Sequence, residues 1–182
     1  MDLKFKDPIN VNNVRIAMKG LEHYGTSEIK GKEDNGKIMQ FLHKIDPNVM
    51  HDETPWCSGF LYSVLESIGI KVNVTLAARS WLKVGKEVLI PKTGDIVVLW
   101  RGSPKSWKGH AGILIKEDVN NVYVLGGNQV DSVNIMRYPK LQVLGYRRFS
   151  DDMYSVNERI KKMEYMFPTY EKQVKARKKK TK

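Results

Sequence analysis

One cysteine among 182 residues allows no internal disulfide, so the fold must stand on packing alone. Long apolar runs are also missing, and none approaches the roughly 20 residues a membrane-spanning helix needs. The N-terminus, MDLKFKDPINVNN, lacks the apolar stretch of a secretory signal peptide. No internal repeat is visible. Metal-ligand spacing is almost absent: only His51-Asp52-Glu53 hints at it, which is too little for a zinc site of several ligands, so no cofactor is expected.

What is present fits a globular chain. Apolar residues make up 41%, and the length suits one domain with one appended element. The net charge of +11 is unevenly placed. Residues 172–182 hold six lysines and Arg177 without an acid, which is +7, leaving +4 on the other 171 residues. The basic character therefore belongs to a tail, and no specific nucleic-acid binding is expected of the domain. Clustered lysines are drawn to anionic polymers or lipid surfaces, and a solvated tail without a partner is the alternative.

Asn12 or Asn13 can cap a first helix carrying Val14, Ala17, Met18 and Leu21, closed by Gly25. A second follows Asn35, with Ile38, Phe41, Leu42 and Ile45 on one face, and Pro47 ends it. A third starts at or just after Cys57 and stops at Gly69. A shorter helical piece spans residues 75–84. From Asp95 the texture becomes β-rich: residues 96–100, 110–115, 122–125, 132–138 and 143–148 read as about five antiparallel strands. Helices first and sheet second is an α+β arrangement. The expected organisation is a domain over residues 1–149, a helix over 150–168 and a basic tail over 169–182.

Pro55 disfavours helix for Thr54, and Phe60, Leu61, Val64, Leu65 and Ile68 then repeat at helical spacing. Cys57 thus stands at a helix N-terminus, where unpaired N–H groups and the dipole are expected to lower its pKa. Gly59 keeps that first turn slim. A lone cysteine is commonly a small buried hydrophobe; its place at a helix start, with a histidine strand available later, favours a nucleophile here. Such chemistry needs an imidazole and a polar group to fix it. His23 and His43 lie on helices of mixed polarity, and His51 sits in a loop. His110 opens a strand after Gly109, a rigid position suited to a catalytic imidazole. The following hairpin brings Gly126-Gly127-Asn128-Gln129 back beside it. Neighbours on a strand point to opposite faces, so one of Asn128 and Gln129 meets the imidazole. Asn128 is preferred for its shorter amide, holding Nδ1–H, and Gln129 remains the alternative.

The segments Asp52-Glu53-Thr54-Pro55-Trp56-Cys57-Ser58, Ala78-Arg79-Ser80-Trp81-Leu82, Gly94-Asp95-Ile96-Val97-Val98, Ser106-Trp107-Lys108-Gly109-His110, Leu125-Gly126-Gly127-Asn128-Gln129 and Leu144-Gly145-Tyr146-Arg147-Arg148 occur in that order. Together they resemble the papain-like NlpC/CHAP group of bacterial cell-wall hydrolases, and within it the phage endolysins, over roughly residues 10–148. The resemblance implies a cysteine peptidase or amidase acting on peptidoglycan, with Cys57 as nucleophile, His110 as base and acid, and Asn128, or Gln129, as orienting residue. Trp56, Trp107 and Asp52 are the candidates for substrate contact, whereas Trp81 and Trp100 read as core or core edge. The missing signal peptide leads to the expectation of a monomer made in the host cytoplasm, reaching the wall after release or as part of a virion. The basic tail would add affinity for anionic wall polymers or a membrane surface. A phage tail or wall-binding module that keeps the fold without turnover is the alternative.

Overall fold

The computed structural model describes residues 10–31 and 33–149. Three helices come first: α1 (Val11–Leu21), α2 (Gly36–His43) and α3 (Cys57–Ser67). A 3-10 helix at Ala78–Lys83 leads into β1 (Lys86–Val88), β2 (Ile96–Trp100), β3 (Gly109–Glu117), β4 (Asn121–Gly126), β5 (Asn134–Pro139) and β6 (Val143–Arg148). The strands form one sheet in the order β1-β6-β2-β3-β4-β5, with every neighbouring pair antiparallel. The α+β class is as expected, with one strand more than the five anticipated. That strand, β1, is three residues long and shows no alternation of apolar and polar residues, so it left no pattern to read. The helix expected over residues 150–168 and the tail over 169–182 lie outside the described residues.

The first helix differs from expectation in its cap and in its buried face. Asn10 is the cap, its side-chain oxygen accepting from the Asn13 N–H at 3.3 Å. Of the anticipated stripe only Ala17 is buried; Val14, Met18 and Leu21 face outward. The buried stripe is Asn12, Asn13, Ile16, Ala17 and Gly20. Two contacts set this rotation. The Asn13 amide donates to the Asp95 carboxylate at 2.8 Å and to the Thr93 carbonyl at 3.0 Å. Gly20 lies so close to the sheet that a Cβ would stand 2.5 Å from Ile113 and 2.9 Å from Leu125. A polar anchor and a glycine overrode the hydrophobic pattern.

The other two helices start where their sequence signals put them, but α2 ends at His43, before Ile45 and Pro47, and Ile45 is only half-buried. Asn35 caps α2, accepting from Lys37 and Ile38, and Ile38, Phe41 and Leu42 are buried. In α3, Phe60, Leu61, Val64 and Leu65 are buried, and Gly69 ends the turn at φ +85°. Gly59 is required by α2: a Cβ there would meet the Phe41 carbonyl oxygen at 2.6 Å. The slim first turn thus admits a neighbouring backbone.

Strand β2 is buried along residues 96–99, which accounts for its unbroken apolar run. One cluster of its side chains, Val97 and Leu99, packs with Leu114, Val122 and Val124, bordered by Tyr138, Val143 and Tyr146. At the head of β2, Asp95 is fully buried yet well paired. It accepts from Arg148 at 2.8 and 2.7 Å, from Asn13 and from the Lys92 N–H at 2.7 Å. This carboxylate ties α1, β2 and β6 together.

Candidate functional site

The third helix starts at Cys57 itself. Its N-cap, Trp56, supplies no side-chain acceptor, so the first-turn amides are left to the sulfur. The backbone amides of Cys57, Ser58 and Ala111 all favour the thiolate. The amide of Ala111 is free for this role because β3 and β4 pair only from Ile113↔Leu125 to Glu117↔Val122, leaving the first part of β3 open on that side. The sulfur therefore lies against β3 at the residue next to His110. Its pKa nevertheless shifts upward, contrary to the expectation from the helix start. Burial is the largest effect, and the amides with the charge of Arg101 only reduce it. The resting group is a thiol.

His110 is held by a network in which each proton can be assigned. Its Nε2 lies 3.0 Å from Oε1 of Gln129. The amide nitrogen of Gln129 donates to the Val124 carbonyl at 3.2 Å, the Asn134 carbonyl at 2.6 Å and Asn134 Oδ1 at 3.0 Å. Those donations fix which end of the amide faces the ring. An amide oxygen only accepts, so His110 Nε2 carries the hydrogen and Nδ1 keeps its lone pair. The same oxygen accepts from the Tyr138 hydroxyl at 3.0 Å, and the Tyr138 ring lies 5.7 Å from the imidazole at 32°. Burial, then the charge of Arg101, lowers the pKa of His110 to about 4, against a small rise from Gln129. At neutral pH the ring is an uncharged base.

The imidazole's partner is thus Gln129 and not Asn128, and the nitrogen held is Nε2 and not Nδ1. Extended geometry past Gly126 was the wrong premise. Asn128, Val130 and Asp131 adopt φ of +57°, +51° and +57°, so the chain coils instead of continuing as a strand. Asn128 turns away and donates to Glu28 Oε1 at 3.3 Å. The coil is pinned by Gln129 N–H to the Ser132 carbonyl at 3.0 Å and by Asn134 Nδ2 to the Gln129 carbonyl at 2.6 Å. Both glycines before it are needed for close approach. A Cβ on Gly126 would stand 2.7 Å from His110 Nε2, and one on Gly127 would stand 2.4 Å from the Trp56 ring.

The substrate-contact candidates separate. Trp56 is fully buried and donates to Glu28 at 2.7 Å, so it is core. Asp52 is buried as well: it accepts from the Asn35 N–H at 2.8 Å, which occupies it with holding the start of α2. Trp107 alone is open, at 78% exposure. Trp81 is core, donating to Ser58 at 2.7 Å, and Trp100 sits at the edge, donating to the Leu141 carbonyl. His23 stacks edge-on against Phe41, while His43 and His51 are exposed. Asp34, His51 and Glu53 bring one ligand atom each within 4.8 Å of the others and are the described residues that can hold a metal ion. Asp52, between two of them in sequence, points inward.

Two residues of the site escaped the sequence reading, Tyr138 and Arg101. Both needed strand register to be found. Leu99 pairs with His110, and Arg101 lies two residues beyond Leu99, on the same face of the sheet. Its charge acts on Cys57, His110 and Tyr138 alike.

The sequence matches no protein-family model and no curated protein. Among solved structures, a protein described as similar to lipoprotein, of the NLP/P60 family, from Staphylococcus aureus subsp. aureus Mu50 is matched at 16% identity and a TM-score of 0.45. The match covers 81% of this chain and 44% of that one, so this chain spans less than half the length of its neighbour.

Proposed function

We propose that this chain is a cysteine hydrolase that cleaves a peptide-type amide in peptidoglycan, in the manner of an endolysin. The observation that carries the chemistry is the locked Gln129 amide, which leaves His110 Nδ1 as a free base on β3, one residue from the Ala111 amide that meets the thiol of α3. The six ordered segments that resemble wall hydrolases supply the substrate class.

In the reaction, Nδ1 takes the thiol proton as Sγ attacks the carbonyl carbon. Charge gathers on the carbonyl oxygen, and the backbone N–H of Cys57 donates to it. The imidazolium then gives its proton to the amine nitrogen, the C–N bond breaks and a thioester remains. Water, deprotonated by Nδ1, attacks the thioester, releasing a carboxylate and restoring the thiol. Gln129 Oε1 holds Nε2–H throughout, so the ring keeps one orientation through both proton transfers. Burial makes the imidazolium short-lived, which favours quick passage of the proton to the leaving amine.

The basic tail adds weak attraction to anionic wall polymers, and the domain acts as a monomer once it reaches the wall. The test is digestion of purified peptidoglycan by the wild type and by Cys57→Ser. The variant should fold and release no fragments, because a hydroxyl is a far weaker nucleophile at neutral pH. Equal release by both proteins rules the reading out.

A further inference from the structure

Glu28 is a half-buried carboxylate that the chemistry of Cys57 and His110 does not use, yet it bonds to both sides of their site. Its Oε1 accepts from the Trp56 indole N–H at 2.7 Å and from the Asn128 amide at 3.3 Å. Trp56 is the residue before the nucleophile, and Asn128 is the residue before the orienting Gln129. The segment around Glu28 is clipped to the same coil. The Glu28 N–H donates to the Asp131 carbonyl at 2.8 Å, and Ser27 bridges to Ser132. Gly25 N–H donates to the Val133 carbonyl at 2.9 Å, and Val133 N–H to the Thr26 carbonyl at 2.7 Å.

The indole transmits what Glu28 holds. Trp56 is fully buried, and its ring packs on Gly127 so closely that no Cβ fits there. Its carbonyl accepts from the Phe60 N–H at 2.9 Å, so the same residue is the first link of α3. A tilt of that ring therefore moves the start of α3 against the coil that leads to Gln129. An ionised carboxylate only accepts, and its bond to an N–H is stronger than that of a neutral acceptor. Burial raises the pKa of Glu28 most, and the charges of Asp131, Asp52 and Glu53 add to that; the Trp56 bond is the effect that favours the carboxylate.

We infer that Glu28 is a positioning residue for the hydrolysis: through the Trp56 indole it fixes the start of α3, and with it Cys57, against the coil that holds Gln129 and so His110. This rests on the hydrolase reading and adds to it a residue that touches neither the substrate nor the reacting atoms.

The test compares the wild type, Glu28→Ala, Glu28→Gln and Trp56→Phe on one defined muropeptide, with folding checked by circular dichroism. Glu28→Ala should lower kcat by roughly ten- to a hundredfold, the cost of misplacing reacting groups by about 1 Å, with KM held within about twofold. Glu28→Gln keeps an oxygen for the indole and should recover most of the rate. Trp56→Phe keeps a ring and loses the N–H, so it should lose about as much as Glu28→Ala. The double variant should lose little more than either alone. If Glu28→Ala does not fold, Trp56→Phe beside Glu28→Gln carries the comparison. An unchanged kcat in Glu28→Ala or Trp56→Phe, an equal loss in Glu28→Gln, or additive losses in the double variant overturns the assignment.

A second readout needs no substrate. Iodoacetamide alkylation of Cys57 is measured at pH 7 relative to pH 9, a ratio in which changes of access cancel. At pH 7 the thiol depends on His110 to take its proton, so the ratio should fall about tenfold in Glu28→Ala and hold in Glu28→Gln. If the wild type cleaves nothing, the hydrolase reading falls and this ratio decides alone. A fall in Glu28→Ala would still support the positioning role, and an unchanged ratio would overturn it.

Discussion

At the scale of single residues, the site turns on which amide meets the imidazole. Sequence spacing narrowed the choice to two neighbours but could not go further, because Asn128 and Asp131 tolerate left-handed backbone without requiring it, and the β-branched Val130 argues against it. Gln129→Ala should lower turnover by roughly ten- to a thousandfold, the range for loss of an orienting group. Asn128→Ala, which removes one of the two hydrogen bonds to the Glu28 carboxylate and places alanine at a left-handed φ, should cost much less turnover. Turnover of both variants on one defined muropeptide, with circular dichroism as a folding check, decides it; the reverse order would contradict the network. Burial of His110 also has a consequence for stability. Its folded pKa of about 4 lies below the ordinary 6.5. Between those values the unfolded chain binds the proton and the folded chain does not. Stability contributed by the neutral ring is therefore complete above pH 6.5 and is lost as pH falls toward 4, by up to about 3 kcal/mol. His110→Gln should remove that part of the pH dependence in denaturant titrations, and an unchanged slope would show that the ring is not buried neutral.

At the scale of elements, α3 and the β2–β3 pair were legible because apolar periodicity and burial agree there. The face of α1 was not legible, since a buried asparagine and a glycine set its rotation and neither counts as apolar. The β3–β4 pair shows how an element makes a site. Its ladder stops at Ile113↔Leu125, and the gap beyond gives room for the sulfur, while Gly126 gives room for the ring. Gly126→Ala pushes a methyl between His110 Nε2 and Gln129 Oε1. It should cost about 1–3 kcal/mol of stability, as overpacking does, and a disproportionate share of activity. Thermal unfolding and turnover measured together check this; a variant with full turnover would mean the hydrogen bond is dispensable.

At the scale of the whole molecule, the charge is divided between a domain of modest charge and a strongly basic end. Deleting residues 172–182 should leave cleavage of soluble fragments unchanged and weaken binding to whole walls, most at low salt, where screening is least. Equal wall binding at low salt by both forms would deny the tail that role. Fold class was readable from the order of helices and strands, and Cys57 and His110 from their places on an expected helix and strand. Arg101 and Tyr138 were not readable, because only the register of β2 on β3 and the packing of β5 bring them to the imidazole. The central claim is that Cys57 opens an amide of the wall. Its most direct test is mass spectrometry of purified peptidoglycan after digestion. The account predicts paired products bearing a new amine and a new carboxylate, a gain of one water, with intact glycan bonds, from the wild type and not from Cys57→Ser. Cleavage between sugars, or the same fragments from Cys57→Ser, would contradict it.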